Sequence, residues 1–127
     1  MSRAIKIQIK RAYEPAAPED GERYLVDRLW PRGVNKDALH LAGWLKEVAP
    51  SDLLRRWFGH DPVRWSEFRR RYRGELKSKR AALQPLRDAL KRGTVTLVYS
   101  AHDEEHNQAV VLREFLAPSP PATRKRK

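Results

Sequence analysis

Ile5, Ile7 and Ile9 alternate with Lys6 and Gln8, the period of two expected of a strand with one wet face. Arg23 to Leu29 is a second strand, mixed apolar and therefore more buried, after a polar loop from Pro15 to Gly21. Asn35 to Leu41 reads as irregular or a short strand, and Trp44 to Val48 as a short helical piece. Ser51 is placed to cap a helix that ends near Phe58-Gly59, and Pro62 suits the first turn of the next. In that next helix Trp65, Phe68, Tyr72 and Leu76 fall at helical spacing. Another helix carries Leu83, Leu86 and Leu90, with Pro85 close to its start and Gly93 at its end. Thr94 to Tyr99 is almost wholly apolar and β-branched, as in a central strand covered on both faces. A last helix is expected to begin near Asp103 and to bury Ala109, Val110, Leu112, Phe115 and Leu116. Strands separated by helices, without an internal repeat, predict a single α/β domain over residues 1–116. It should hold a small parallel or mixed sheet of three to four strands with helices packed on it.

Composition narrows the function classes. The 127 residues include no cysteine, which excludes disulfides, thiol catalysis and thiolate metal sites and fits a reducing cytoplasm. No apolar run has the length of a membrane span, and the start lacks a secretory apolar region, so a cytoplasmic protein with no membrane partner is expected. Lys and Arg outnumber Asp and Glu by 27 to 16, a formal charge of +11 that favours polyanionic partners. Part of the excess lies in a flexible basic tail, residues 117–127, closed by Arg124-Lys125-Arg126-Lys127. A second part, Arg69, Arg70, Arg71, Arg73, Lys77, Lys79 and Arg80, sits on a predicted helix. It reads either as a solvated helix face or as a nucleic-acid surface. The neighbouring aromatics are spaced as a core stripe, whereas single-strand binders interleave them as stacking platforms.

Three segments carry candidate chemistry. In Val26-Asp27-Arg28-Leu29-Trp30-Pro31-Arg32-Gly33 a strand stops in a turn that offers two guanidinium forks and an indole face. Ligands of open α/β sheets bind just beyond such strand ends. The plainer reading is a packed turn in which Arg28 pairs with Asp27. Tyr99-Ser100-Ala101-His102-Asp103-Glu104-Glu105-His106-Asn107 follows the expected central strand. Ser100 or Asp103 there is placed to cap the last helix, with His106 and Asn107 one turn inside it. His102 and His106 have the i, i+4 spacing of metal ligands, but Asp103 stands where a zinc protease has glutamate, and no metal site is assigned. Ser100 lacks the glycine-flanked elbow of a serine nucleophile. Finally, His60 sits between two helices in Trp57-Phe58-Gly59-His60-Asp61-Pro62, either projecting into a cleft or lying at the surface.

Together with Trp44-Leu45-Lys46-Glu47-Val48-Ala49-Pro50-Ser51, Phe68, Tyr72 and Glu75-Leu76, these blocks resemble the YeaO-like branch of a bacterial domain-of-unknown-function family, family 488. The resemblance covers about residues 3 to 116. It implies a single cytoplasmic α/β domain and no settled activity. It also implies a basic residue, not histidine, at position 102, which counts further against a histidine-paired metal. Longer relatives carry cysteines near the corresponding strand end, and a thiol role there cannot be transferred to this chain.

Two functions of different class follow. In the first, a pocket takes a small anionic, nucleotide-like ligand, with or without catalysis and with no cofactor specified. Arg28 and Arg32 bind the anion, and Trp30 and Trp57 wall the pocket. His60 or His106 serves as acid–base group. Ser100 lies at the ligand, and Asp103 and Asn107 orient ligand or histidine. In the second, the basic helix and tail make a non-catalytic module associated with nucleic acid.

Overall fold

The computed structural model describes residues 6–117. The tail from residue 118 lies outside them, as does Ile5 of the first strand.

Four strands form one fully parallel sheet. They are β1 (Ile7–Arg11), β2 (Glu22–Leu25), β3 (Gly43–Trp44) and β4 (Val95–Tyr99), in spatial order β1-β4-β2-β3. The helices are α1 (Lys36–Leu39), α2 (Asp52–Phe58), α3 (Trp65–Lys77), α4 (Arg80–Arg92) and α5 (Gln108–Leu116), with short 3₁₀ turns at Pro18–Asp20, Lys46–Val48 and Pro62–Arg64. The α/β class is as expected, and the sheet is parallel throughout.

The β-branched run becomes the central strand. All five residues of β4 are buried, with β1 on one side and β2 on the other. Val95, Leu97 and Tyr99 join the main core, which also holds Phe58, Phe68, Tyr72, Leu76, Leu83, Leu86 and Leu112 from the four longer helices. Val98 faces the opposite side, in a smaller core with Ala12, Leu25 and Leu39, packed by Trp30 and Trp44. On that second face the β1–β2 crossover is held by polar groups. Buried Asp20 receives Arg23 Nη1 at 2.6 Å, and the Thr96 hydroxyl donates to the Asp20 carbonyl at 2.7 Å. Gly21 (φ 64°) makes the turn possible, because a Cβ there would stand 2.1 Å from the Thr94 carbonyl oxygen.

Several boundaries differ from expectation. Strand β2 ends at Leu25, short of the expected Leu29. The Val26 amide still bonds the Val98 carbonyl at 3.0 Å, but β4 then ends at Tyr99 and gives the ladder nothing further to pair with. Within residues 35–41 a short helix, Lys36–Leu39, is capped by Asn35, whose Oδ1 accepts from the Asp37 amide, while Gly43-Trp44 supply a two-residue edge strand. Pro85 is exposed and lies inside α4, beyond its first turn. Helix α5 starts at Gln108. Asn107 is its cap, accepting from the Ala109 and Val110 amides, whereas Asp103 closes a separate turn over Glu105 and His106. His102 and His106 therefore share no helical face. The later start also buries Val111 fully and leaves Val110 half-buried. Ser51 caps α2, as its sequence position predicts.

Candidate functional site

The carboxyl ends of β2 and β4 lie side by side, and the chain leaves both as loops. Asp27 sits just past β2, and its carboxylate accepts the Ser100 amide (2.9 Å), the Ser100 hydroxyl (2.5 Å) and the side-chain amide of Gln108. Burial pushes the Asp27 carboxyl up, against the hydrogen bonds of Ser100 and Gln108 and the charge of nearby His60. Asp27 does not pair with Arg28, contrary to the plainer reading of the turn. Arg28 instead lies 3.5 Å from Asp52 Oδ1, through an Nε atom that is itself buried and makes no hydrogen bond.

A cavity of about 610 Å³ opens over this junction. Its lining holds the guanidinium groups of Arg28 and Arg32 from the loop after β2 and of Arg55 from α2, and also includes His60 and His102. Leu29, Trp30, Ala49, Pro50, Phe58 and Phe68 form apolar wall. Ser100, Ala101, Asp103, Asn107 and Gln108 line the side next to β4. Arg32 is exposed and pairs with no carboxylate among the described residues, while its carbonyl accepts the Tyr13 hydroxyl at 3.1 Å. Trp30 is held by its indole N–H on the Val34 carbonyl (2.8 Å) and by an edge contact with Trp44. His60 follows Gly59, and both residues have positive φ, 56° and 51°. For histidine this is an uncommon conformation.

The structure thus gathers Arg28, Trp30, Arg32, His60, Ser100, Asp103 and Asn107 around one cavity, and it places Trp57 and His106 elsewhere. The Trp57 ring is covered by the guanidinium groups of Arg64 and Arg71. The His106 ring bonds Asp103 through Nδ1 at 2.9 Å and meets the Trp65 ring at 5.1 Å. The Glu105 amide, followed by the His106 ring and amide, holds Asp103 below the ordinary carboxylate range. Among the gathered residues, Asn107 is engaged in capping α5 and in donating to the Asp103 carbonyl, and Ser100 in donating to Asp27.

Sequence reasoning missed Arg55, Gln108, Phe58 and Phe68 as site residues. The two phenylalanines read as core stripe, and they are core, since the cavity abuts it. Arg55 carries a weak signal, one helical turn beyond the Ser51 cap, and Gln108 carries none. No group of three or more His, Cys, Asp or Glu among the described residues could hold a metal ion. No described helix is long and apolar enough to cross a membrane.

These features define a small parallel α/β protein with a largely apolar cavity, bearing a few polar and charged groups, at the carboxyl edge of its sheet. The chain belongs to the inactive DUF488-N3 subclade, whose family model matches residues 6–125. It is similar to the uncharacterized protein YeaO of Escherichia coli, at 44% identity over 112 residues, covering 88% of this chain and 97% of that one. It is also similar to the uncharacterized protein Rv3073c of Mycobacterium tuberculosis, at 42% identity over 116 residues, covering 91% and 98%. No solved structure gives a significant match.

Proposed function

We propose that the cavity over the β2 and β4 ends binds a small organic anion, nucleotide-like in joining a charged group to a flat or apolar one, in the cytoplasm and without turning it over. The observation that carries this reading is the meeting of three arginines, Arg28, Arg32 and Arg55, with an apolar wall that includes Trp30 and Phe58. Convergent polar groups in a well-formed apolar cavity mark a binding site, and guanidinium forks suit phosphate or carboxylate. A binding role is supported by what the candidate reactive groups already do. The Ser100 hydroxyl is given to Asp27 and the His106 ring to Asp103. The subclade's description as inactive points the same way. His60 lines the cavity and is the acid–base candidate left to any catalytic reading.

The nucleic-acid reading gains less. Arg70 and Arg71 share Glu67, and Arg69 meets Glu114, at 2.5–2.7 Å, so part of the basic face of α3 is already engaged within the protein. NMR titration with nucleoside monophosphates and inorganic phosphate tests the choice. Shifts should cluster at Arg28, Trp30, Arg32 and Ser100. Shifts confined to Arg69–Arg80, or none at the cavity, would overturn the proposal.

A further inference from the structure

The way two of the cavity's arginines are held narrows the class of ligand. Asp52, the first residue of α2, places one oxygen, Oδ1, 3.5 Å from Arg28 Nε and 3.4 Å from Arg55 Nη2. Charge-assisted bonds between guanidinium and carboxylate ordinarily close to roughly 2.7–2.9 Å and use both arms of the fork. Here one oxygen stands between two forks and fills neither, and Arg28 Nε is buried without a hydrogen bond. Asp52 therefore offsets part of the charge of the pair while leaving most of their donors unused. Its side chain is 52% exposed and has no other polar partner among the described residues, so it can turn to water at little cost. The two carboxylates that line the cavity, Asp27 and Asp103, make no contact with these arginines. Asp27 is taken by Ser100 and Gln108, and Asp103 by His106 and the turn amides. Arg32 adds a third guanidinium. Of the carboxylates nearby, only Asp52 contacts a guanidinium of this set, and it contacts two of the three.

Resting on the anion-binding reading above, we infer that the group taken here is a phosphate monoester in its dianionic form, received by Arg28 and Arg55 in place of their shared Asp52 carboxylate. A tetrahedral oxoanion offers separate oxygens to two forks set around a common point, which a single carboxylate oxygen cannot do. The apolar wall then takes the ester's organic part. Asp52 is the specificity-determining residue. It is an internal competitor that a monoanion displaces poorly and a dianion displaces well.

Calorimetric titration of the full chain near pH 8, where a phosphate monoester is a dianion, tests this with phenyl phosphate, benzoate and inorganic phosphate. Phenyl phosphate should bind about tenfold or more tighter than benzoate. Asp52→Asn should tighten phenyl phosphate several-fold, and Arg55→Ala should erase its advantage over benzoate. Equal affinity for phenyl phosphate and benzoate, or an Asp52→Asn variant no tighter than wild type, overturns the inference and leaves the anion pocket standing. Inorganic phosphate binding as well as phenyl phosphate overturns the monoester assignment in favour of the free ion. Binding of none of the three by any variant overturns both the inference and the pocket.

Discussion

The carboxylate of Asp27 grips both the amide and the hydroxyl of Ser100, across 73 positions of sequence, and so latches the end of β2 to the end of β4. The same carboxylate takes the side chain of Gln108 at the start of α5. One buried acid thus sets the floor of the cavity and the entry angle of the last helix.

Replacing Asp27 should show this latch directly. Asp27→Ala leaves the Ser100 amide and the Gln108 side chain without their acceptor and should cost about 1–3 kcal/mol. Asp27→Asn keeps one acceptor and should cost less. The two differ in pH dependence as well. Burial raises the folded-state carboxyl of Asp27 above its ordinary value of 3.8, so the folded chain holds that proton to higher pH than the unfolded chain does. Stability from this group is therefore fully present below the unfolded value and declines as pH rises through the raised folded one. Urea unfolding across this range should show wild type losing ground to Asp27→Asn as pH rises. A constant difference would contradict the burial argument.

Arg28 and Arg32 should matter for binding far more than for folding. Arg32 is exposed and unpaired among the described residues, so Arg32→Ala should melt within about 0.5 kcal/mol of wild type. Arg28 pairs with half-exposed Asp52, not with buried Asp27, so its loss should cost about 1 kcal/mol or less. Arg32→Lys keeps the charge but not the fork and should weaken anion binding while leaving melting unchanged. An Arg32→Ala protein that melts well below wild type would make Arg32 a structural residue.

His60 is held where histidine is uncommon. Its φ of 56° should make His60→Gly about 1 kcal/mol more stable than wild type, and His60→Ala no more stable. Thermal denaturation of the two variants separates backbone strain from loss of the ring. If the glycine variant is stabilised but binds the anion more weakly, the strain serves the rim of the cavity.

Glu22 and Arg92 tie the start of β2 to the end of α4 through two contacts of 2.8 Å. The Arg92 fork, helped by the Tyr24 hydroxyl, holds the Glu22 carboxyl down at about 2. Because the folded value lies below the unfolded one, this pair stabilises above the ordinary glutamate range, and the contribution is lost as pH falls toward about 2. A carboxyl titration by NMR should find Glu22 well below its neighbours, and Arg92→Ala should return it toward the ordinary range. High salt should shrink the difference.

Strong local rules made much of the fold legible. The Ser51 cap, the stripe of Phe68, Tyr72 and Leu76, and the run ending at Tyr99 each name an element without help from the rest of the chain. Two residues at a sheet edge, Gly43 and Trp44, carry too little pattern to announce a strand. At the last helix two residues of equal capping ability, Asp103 and Asn107, stand a turn apart, and only tertiary packing decides that Asn107 starts α5. The strand-end arginines and Trp30 were visible because a proline and a glycine punctuate them. Arg55 and Gln108, which reach the cavity, and Asp52, which contacts Arg28, were not visible as partners, because helix packing rather than neighbours in sequence sets their positions.

The order β1-β4-β2-β3 also bears on how the chain is made. Neither β1 nor β2 pairs with the other, and β1 has no partner but β4, which is synthesised last among the described strands and joins β1 to the β2–β3 pair. A nascent chain emerging from the ribosome can form its helices early, but its sheet has no keystone until Val95–Tyr99 leaves the tunnel. Closure of such distant contacts is slow relative to helix formation. The cavity is then formed in the same event, since its floor needs Asp27 and Ser100 together. A chain cut short before β4 would lack more than a strand, since β1 would be left unpaired and the cavity would have no floor.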